Sequence, residues 1–245
     1  NLENKYLSNT NLRLAMSYAF NRQEYILLSH EGLYDPALRY VLPQVAGVSK
    51  TYGEEYPLDY WPVTGDQTKA KDYLAKALSE LGCSASDIDL KMVVSDSETA
   101  KKEAEVIQSQ LQTALGIKIE ISMVPYKTKN AMLKPHNTDF DIIMTGWAPD
   151  YSDAYSYLEL FYSSSSYNFC NYNSAEFDKY LDQSKVTSGK ERQDALFNAE
   201  KVLLSDAPIL TQQFREAHYL LSDKVSGLQT YFVSITYDLM GVSMK

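Results

Sequence analysis

Residues 140–151 read FDIIMTGWAPDY. The apolar run from Ile142 to Met144 predicts a buried strand, and Thr145, Gly146, Trp147 and Pro149 predict the turn that ends it. The turn presents a carboxylate, Asp150. Ligands of open α/β sheets gather just past the carboxyl ends of strands, so an indole and an acid delivered together there form a candidate recognition site. Taken alone, the residues favour a plainer reading, a Pro-Asp surface turn over a core tryptophan.

Upstream of this stretch the pattern is α/β. Asp66 is a fitting N-cap for a helix in which Ala70, Tyr73, Leu74, Ala77, Leu78 and Leu81 keep the helical period until Gly82 closes it. A strand is expected over Ile88 to Val94. Ser97 then caps a helix with Ala100, Ala104, Ile107, Leu111 and Leu115 on one face, and after Gly116 the residues Ile117, Ile119, Ile121 and Met123 alternate with polar ones. That succession is a βαβ unit with parallel strands, to which the Phe140 strand adds a third after a short helix over Tyr126 to Leu133. Nearer the start, Asn9 to Leu28 reads as one helix. The proline-rich stretch from Gly32 to Gly65 reads as a long irregular segment packed across other structure.

Downstream, Asp153 is expected to cap a short helix from Ala154 to Phe161, which gives this second acid a structural reason to be there. A polar loop at Ser163 to Ser166 precedes helices from Ser174 to about Lys185 and from Lys190 to Ser205, and Pro208 stops the latter. Ile209 to Phe214 reads as extended, and the tail from Tyr219 holds several β-prone stretches without a clear period.

Composition narrows the function classes. The 245 residues are 44% hydrophobic, enough for a full core. The 32 acidic residues outnumber the 23 basic ones for a net charge of -9, which repels phosphate backbones, so no nucleic-acid partner is expected. No apolar run approaches the roughly eighteen residues that span a bilayer. The opening from Asn1 is polar, without signal h-region or lipid-attachment cysteine, and the chain reads as a soluble piece that has been processed or truncated. Cys83 and Cys170 lack any CxxC spacing, so no metal site is expected, and the two are read either as a disulfide or as isolated thiols. Tyrosine is the outlier at 20 residues, a side chain suited to wet clefts and interfaces.

Catalytic patterns are absent: no nucleophile elbow, P-loop, dinucleotide fingerprint or zincin helix occurs. His30, His136 and His218 stand far apart in the chain and are read as surface or partly buried side chains rather than ligands. A glycosidase-type carboxylate pair would need a separation that sequence does not give.

Four motifs in order carry a resemblance: LRLAMSYAFNRQEYI, then FDIIMTGWAPDYSDAYSYLELF, then YNFCNYNSAEFDKYLDQS, then KERQDALFNAEKVLLSDAPILTQQF. Together they resemble the extracytoplasmic solute-binding proteins of oligopeptide ABC transporters, the peptide-binding type of family 5, over most of the chain. The resemblance implies a periplasmic-binding-protein type II lobe, α/β in class, with a mixed β-sheet flanked by helices. Such proteins are two-lobed and considerably longer than this chain, and the match is to their C-terminal half. On that basis residues 1–215 are expected to form the C-terminal ligand-binding lobe, with a hinge near Ile209 to Phe214. Residues 216–245 are expected to be a returning segment that packs with an N-terminal lobe.

In the family the acid of G-W-x-x-D-Y pairs with the α-amino group of a bound peptide, and Asp150 holds that position. The resemblance therefore implies a ligand-binding set of Asp150, Trp147, Tyr151, Gly146 and Ala148, with backbone near the signature pairing with the peptide as an added strand. It implies short peptides and ABC permease subunits as partners, a monomer, no cofactor, no enzymatic activity, and membrane association only through a region preceding this chain. It also implies an extracytoplasmic location, as a cell-surface lipoprotein or a periplasmic protein. Some relatives carry a cysteine directly after the tryptophan, where Ala148 stands here, so no disulfide carries over to Cys83 or Cys170. Relatives that bind sugars or nickel chelates share the fold and provide the alternative ligand classes, while a hydrolase is the alternative outside the class.

Overall fold

A computed structural model describes residues 1–231, 233 and 236–244 of the chain. It opens with two helices where the apolar pattern predicts one. Helix α1 (Thr10–Ala19) and helix α2 (Arg22–His30) are separated by Phe20 and Asn21, both extended. The break has a local cause, because Asn21 Oδ1 accepts from Glu24 N at 3.0 Å and so starts a new helix. Asn9 caps α1 in the same way through Leu12 N, also at 3.0 Å.

The segment from Gly32 to Gly65 is irregular, as its prolines predict. It contains only β1 (Asp35–Pro36) and the single turn α3 (Tyr52–Glu55), which begins with a Thr51–Glu54 capping box. Its side chains are nevertheless anchored, with Val41, Val45, Tyr52 and Trp61 all buried.

The βαβ unit follows as expected. Helix α4 (Gln67–Leu81) precedes β2 (Asp89–Ser95), α5 (Glu98–Leu115) and β3 (Lys118–Val124). Asp66 and Ser97 cap the two helices, and Gly82 and Gly116 end them at φ of +64° and +67°, a backbone region that favours glycine. Strands β2 and β3 run parallel with Leu90 opposite Ile119 and Val94 opposite Met123. After α6 (Tyr126–Met132), strand β4 (Ile142–Ile143) pairs parallel with the other side of β2, giving the order β3-β2-β4. Centrally placed β2 buries Leu90, Met92, Val93 and Val94 completely.

Strand β4 corrects one expectation. It sits at an edge with β2 as its sole partner among the described residues, so Ile142, Ile143 and Met144 are half-buried rather than buried. Periodicity reports apolar content, whereas edge position is set by strand order.

Helix α7 (Tyr155–Leu158) runs into a 3-10 turn at Glu159–Phe161, and after a polar loop α8 (Ala175–Val186) and α9 (Gly189–Asp206) pack on each other. Strand β5 (Gln213–Phe214) pairs antiparallel with β1. Beyond it, β6 (Val225–Ser226) pairs with β9 (Ser243–Met244), and β7 (Gln229–Thr230) with β8 (Tyr237–Asp238), both antiparallel. Of the segment 216–245, positions 232, 234, 235 and 245 lie outside the described residues. The α/β class read from the pattern is the one observed: parallel pairing in the central sheet, antiparallel pairing in the small ribbons.

Two cores result. One joins α1, α2, α4 and α5 to the sheet through Leu12, Phe20, Tyr25, Leu90, Met92 and Leu111. The other joins α7, α8 and α9 to the irregular segment through Tyr52, Leu158, Phe177, Leu196 and Leu203. Cys83 leans on the first core and Cys170 on the second, and both are free thiols. Residues 140–151 bridge the pair of cores, since Ile142 and Met144 pack on the first and Trp147 on the second.

Candidate functional site

The signature stretch is held at both ends and open in the middle. Where it leaves the sheet, Met144 N donates to Val93 O at 3.1 Å, and the buried Lys129 donates from Nζ to Met144 O at 2.8 Å. Burial lowers the Lys129 pKa, and this carbonyl is the polar partner that compensates its ammonium. Thr145, Gly146 and Ala148 then lie exposed. A Cβ added at Gly146 would meet nothing within 4 Å, so the described residues impose no steric need for glycine there.

Trp147 is fixed by a polar contact as well as by packing. Its indole N–H donates to Ser156 O at 2.9 Å in the first turn of α7, and its ring meets Tyr167 edge-on with centroids 5.4 Å apart. Tyr167 in turn neighbours Phe169 at 6.1 Å, extending an aromatic row from the signature. Tyr167 is 52% exposed, and neither it nor Phe169 stands out by spacing, because both lie in the loop after the serine run.

The two acids of the turn have opposite circumstances. Asp153 stands one residue before the N-cap position of α7, which is Ala154 rather than the expected Asp153; it accepts from Tyr155 N at 2.8 Å, and its carboxylate also receives a two-pronged contact from Arg192 of α9 at 2.9 and 3.0 Å. Asp150 is exposed and, among the described residues, engages no hydrogen bond or ion pair. Asp153 is spent on the fold, and Asp150 is left over.

Tyr151 is 46% exposed, and its hydroxyl donates to Glu159 Oε1 at 3.3 Å. Burial, then the Glu159 charge, pushes its pKa up to about 12, so it remains a neutral donor at physiological pH. The turn is further tied to the irregular segment, where Ala46 N donates to Ser152 Oγ at 3.0 Å. Of the five residues expected at the site, Asp150, Tyr151, Gly146 and Ala148 thus share one exposed turn, with Trp147 half-buried beneath it.

The arrangement offers an exposed carboxylate next to Tyr151 and, among the described residues, a strand edge that is paired on one side only. A separate surface groove of about 410 Å³, between Asn21, Glu24, Gln67, Lys71 and Gln110, shares no residue with this turn. Among the described residues no group of three or more His, Cys, Asp or Glu side chains is placed to hold a metal ion. No described helix is long and apolar enough to cross a membrane.

Residues 1–169 match the family model of bacterial extracellular solute-binding proteins, family 5 Middle. The chain belongs to that family. The oligopeptide-binding protein OppA of Bacillus subtilis (strain 168) is 29% identical over 232 residues, which cover 93% of this chain and 41% of the relative. A solved structure described as Listeria monocytogenes OppA bound to peptide superposes with a TM-score of 0.82 at 28% identity, covering 98% of this chain and 45% of that one. A second, described as a peptide ABC transporter, peptide-binding protein, gives a TM-score of 0.78 at 32% identity over 86% of this chain and 93% of that one. The chain spans less than half the length of the curated relatives it matches. These similarities place the fold in the periplasmic-binding-protein type II class.

Proposed function

We propose that this chain is the C-terminal ligand-binding lobe of the receptor of an ABC peptide importer, and that Asp150 anchors the α-amino group of a short peptide. The observation that carries the reading is the unspent Asp150 carboxylate at the end of an open edge strand, next to an Asp153 fully committed to Arg192 and Tyr155. An ammonium enclosed between lobes needs an opposing charge, and the peptide main chain can pair with an open edge as an added strand. Names of relatives support the ligand class, since two of them are called oligopeptide- and dipeptide-binding proteins. In this reading residues 1–215 form the lobe, residues 216–245 return toward a second lobe, and the receptor is a non-catalytic extracytoplasmic monomer. It is anchored as a lipoprotein or free in a periplasm, and it hands peptides to membrane permease subunits.

The test uses the longer protein in which both lobes are present. Removing one partner of a buried charge pair costs about 2–5 kcal/mol, so Asp150→Asn is expected to weaken binding of a free-amino peptide roughly 30-fold or more. The N-acetylated form of the same peptide should bind weakly to parent and variant alike. If calorimetry showed the variant binding the free-amino peptide as tightly as the parent, the anchor would be wrong. Peptides co-purifying with the parent, read by native mass spectrometry, separate this reading from a sugar or nickel-chelate receptor.

A further inference from the structure

A cluster of charged groups lies outside the signature turn, where the chain leaves β5. Glu103, in α5, is buried and His30, at the end of α2, is partly buried with its side chain 9% exposed; His30 Nε2 stands 2.9 Å from Glu103 Oε1. The contact is a close approach rather than an aligned hydrogen bond, since neither atom has a properly directed partner among the described residues. Arg215, two residues past the start of β5, brings Nη2 to 4.0 Å from the same oxygen. One carboxylate oxygen therefore faces two nitrogen bases, one permanently charged and one that titrates.

We propose that Arg215 and the protonated form of His30 compete for Glu103 Oε1, so that proton uptake by His30 loosens the chain segment that follows β5. The neighbours of His30 define the balance. Glu103 favours its charged form, Arg215 and Lys102 oppose it, and the rings of Tyr25 and Tyr34 lie 5.9 and 4.6 Å away. Burial is the largest influence and lowers the His30 pKa, so imidazole is neutral at pH 7 and Glu103 is free to hold Arg215. When His30 takes up a proton, the new imidazolium neutralises Glu103 from 2.9 Å and repels Arg215. Lys129 adds a further positive charge that interacts with both Arg215 and Glu103.

Arg215 is the point at which this competition matters mechanically. Upstream the segment is tied by contacts that do not titrate near neutrality: Ala37 N donates to Gln212 O at 3.2 Å, and Arg22 Nε donates to Thr211 O at 2.9 Å. Downstream, His218 Nε2 lies 3.0 Å from Leu33 O, a contact in which the Nε2–H tautomer and the imidazolium both donate. Leu220 and Leu221 beyond it are exposed. By linkage, anything that immobilises Arg215 against Glu103 lowers proton affinity at His30. The inference is independent of which solute the protein binds.

Two measurements on the 245-residue chain test it: NMR titration of the three histidines, and amide exchange of residues 215–219 between pH 7.5 and 5 after correction for intrinsic rates. Arg215→Met should shift the His30 midpoint upward, because a repelling cation is lost, and leave His136 unmoved. In the parent, exchange of 215–219 should accelerate through the His30 titration, and in His30→Gln that acceleration should be lost. Either an unshifted His30 midpoint in Arg215→Met or an acceleration that survives His30→Gln would overturn the proposal. Thermal unfolding of both variants at pH 7.5 establishes that each is folded, and Arg215→Lys, which keeps the charge, should restore the parent midpoint.

Discussion

Asp150 and Asp153 are separated by three positions, and the fold treats them in opposite ways. Asp153 is the more valuable to stability, because its partly buried carboxylate receives both Arg192 nitrogens and a backbone N–H. Asp153→Ala is expected to cost about 1.5–3 kcal/mol in urea unfolding, the scale of charge-assisted hydrogen bonds, while sparing discrimination between free-amino and acetylated peptides. Asp150→Ala should do the reverse, leaving stability within about 0.5 kcal/mol. A structural role for Asp153 was legible from its position before a helix, where it accepts from Tyr155 N one residue ahead of the N-cap Ala154, whereas Arg192 lies too far along the chain for spacing to pair it. Residue chemistry alone did not select Asp150 over a plain surface turn. Its selection came from the family motif around it, and Tyr167 escaped both because a loop aromatic has no pattern to betray it.

Among the elements, α9 does the most to position the signature turn. Arg192 reaches Asp153 directly, and Glu200, fully buried, organises the irregular segment that touches Ser152. Glu200 forms a forked pair with buried Arg39, accepts from Tyr52 OH at 3.1 Å, and accepts from Tyr40 N and Val41 N at 3.2 and 2.9 Å. Glu200→Gln leaves the Arg39 guanidinium without its counter-charge, and a loss of about 3–5 kcal/mol is expected from the denaturation midpoint. The same variant should raise proteolysis within residues 38–56, since those are the residues Glu200 gathers. Element boundaries with local signals were readable, as Asp66 with Gly82 and Ser97 with Gly116 show. The division of the first helix was also locally encoded, in Asn21 and Glu24, but an unbroken apolar stripe outweighed it. The edge position of β4 had no local code, because it depends on β2 pairing with two strands at once.

At the scale of the molecule, the two main cores are joined both by the signature stretch and by the small cluster of Trp61, Leu204 and Ala207, on which Tyr18 and Tyr40 pack. His30 has its proton affinity lowered by folding, so the stability it supports is complete above its unfolded value of 6.5 and is lost as pH falls through the depressed range. Urea midpoints should therefore decline from pH 7 toward pH 5 more steeply in the parent than in His30→Gln. A single wall encloses no ligand, and the 245-residue chain is expected to bind peptides weakly or not at all, while sub-micromolar titration would contradict the two-lobe reading. The α/β class was legible because alternating helix and strand periods are repetitive, but the contact between cores was not, because Tyr18, Trp61 and Leu204, which meet there, lie far apart in the chain. The open side of β4 has one more consequence. Among the described residues its outer edge has no strand partner, so at high concentration that edge is available to a neighbouring copy of the chain and carries a self-association hazard. The ladder of only two residue pairs at β4 keeps that hazard small.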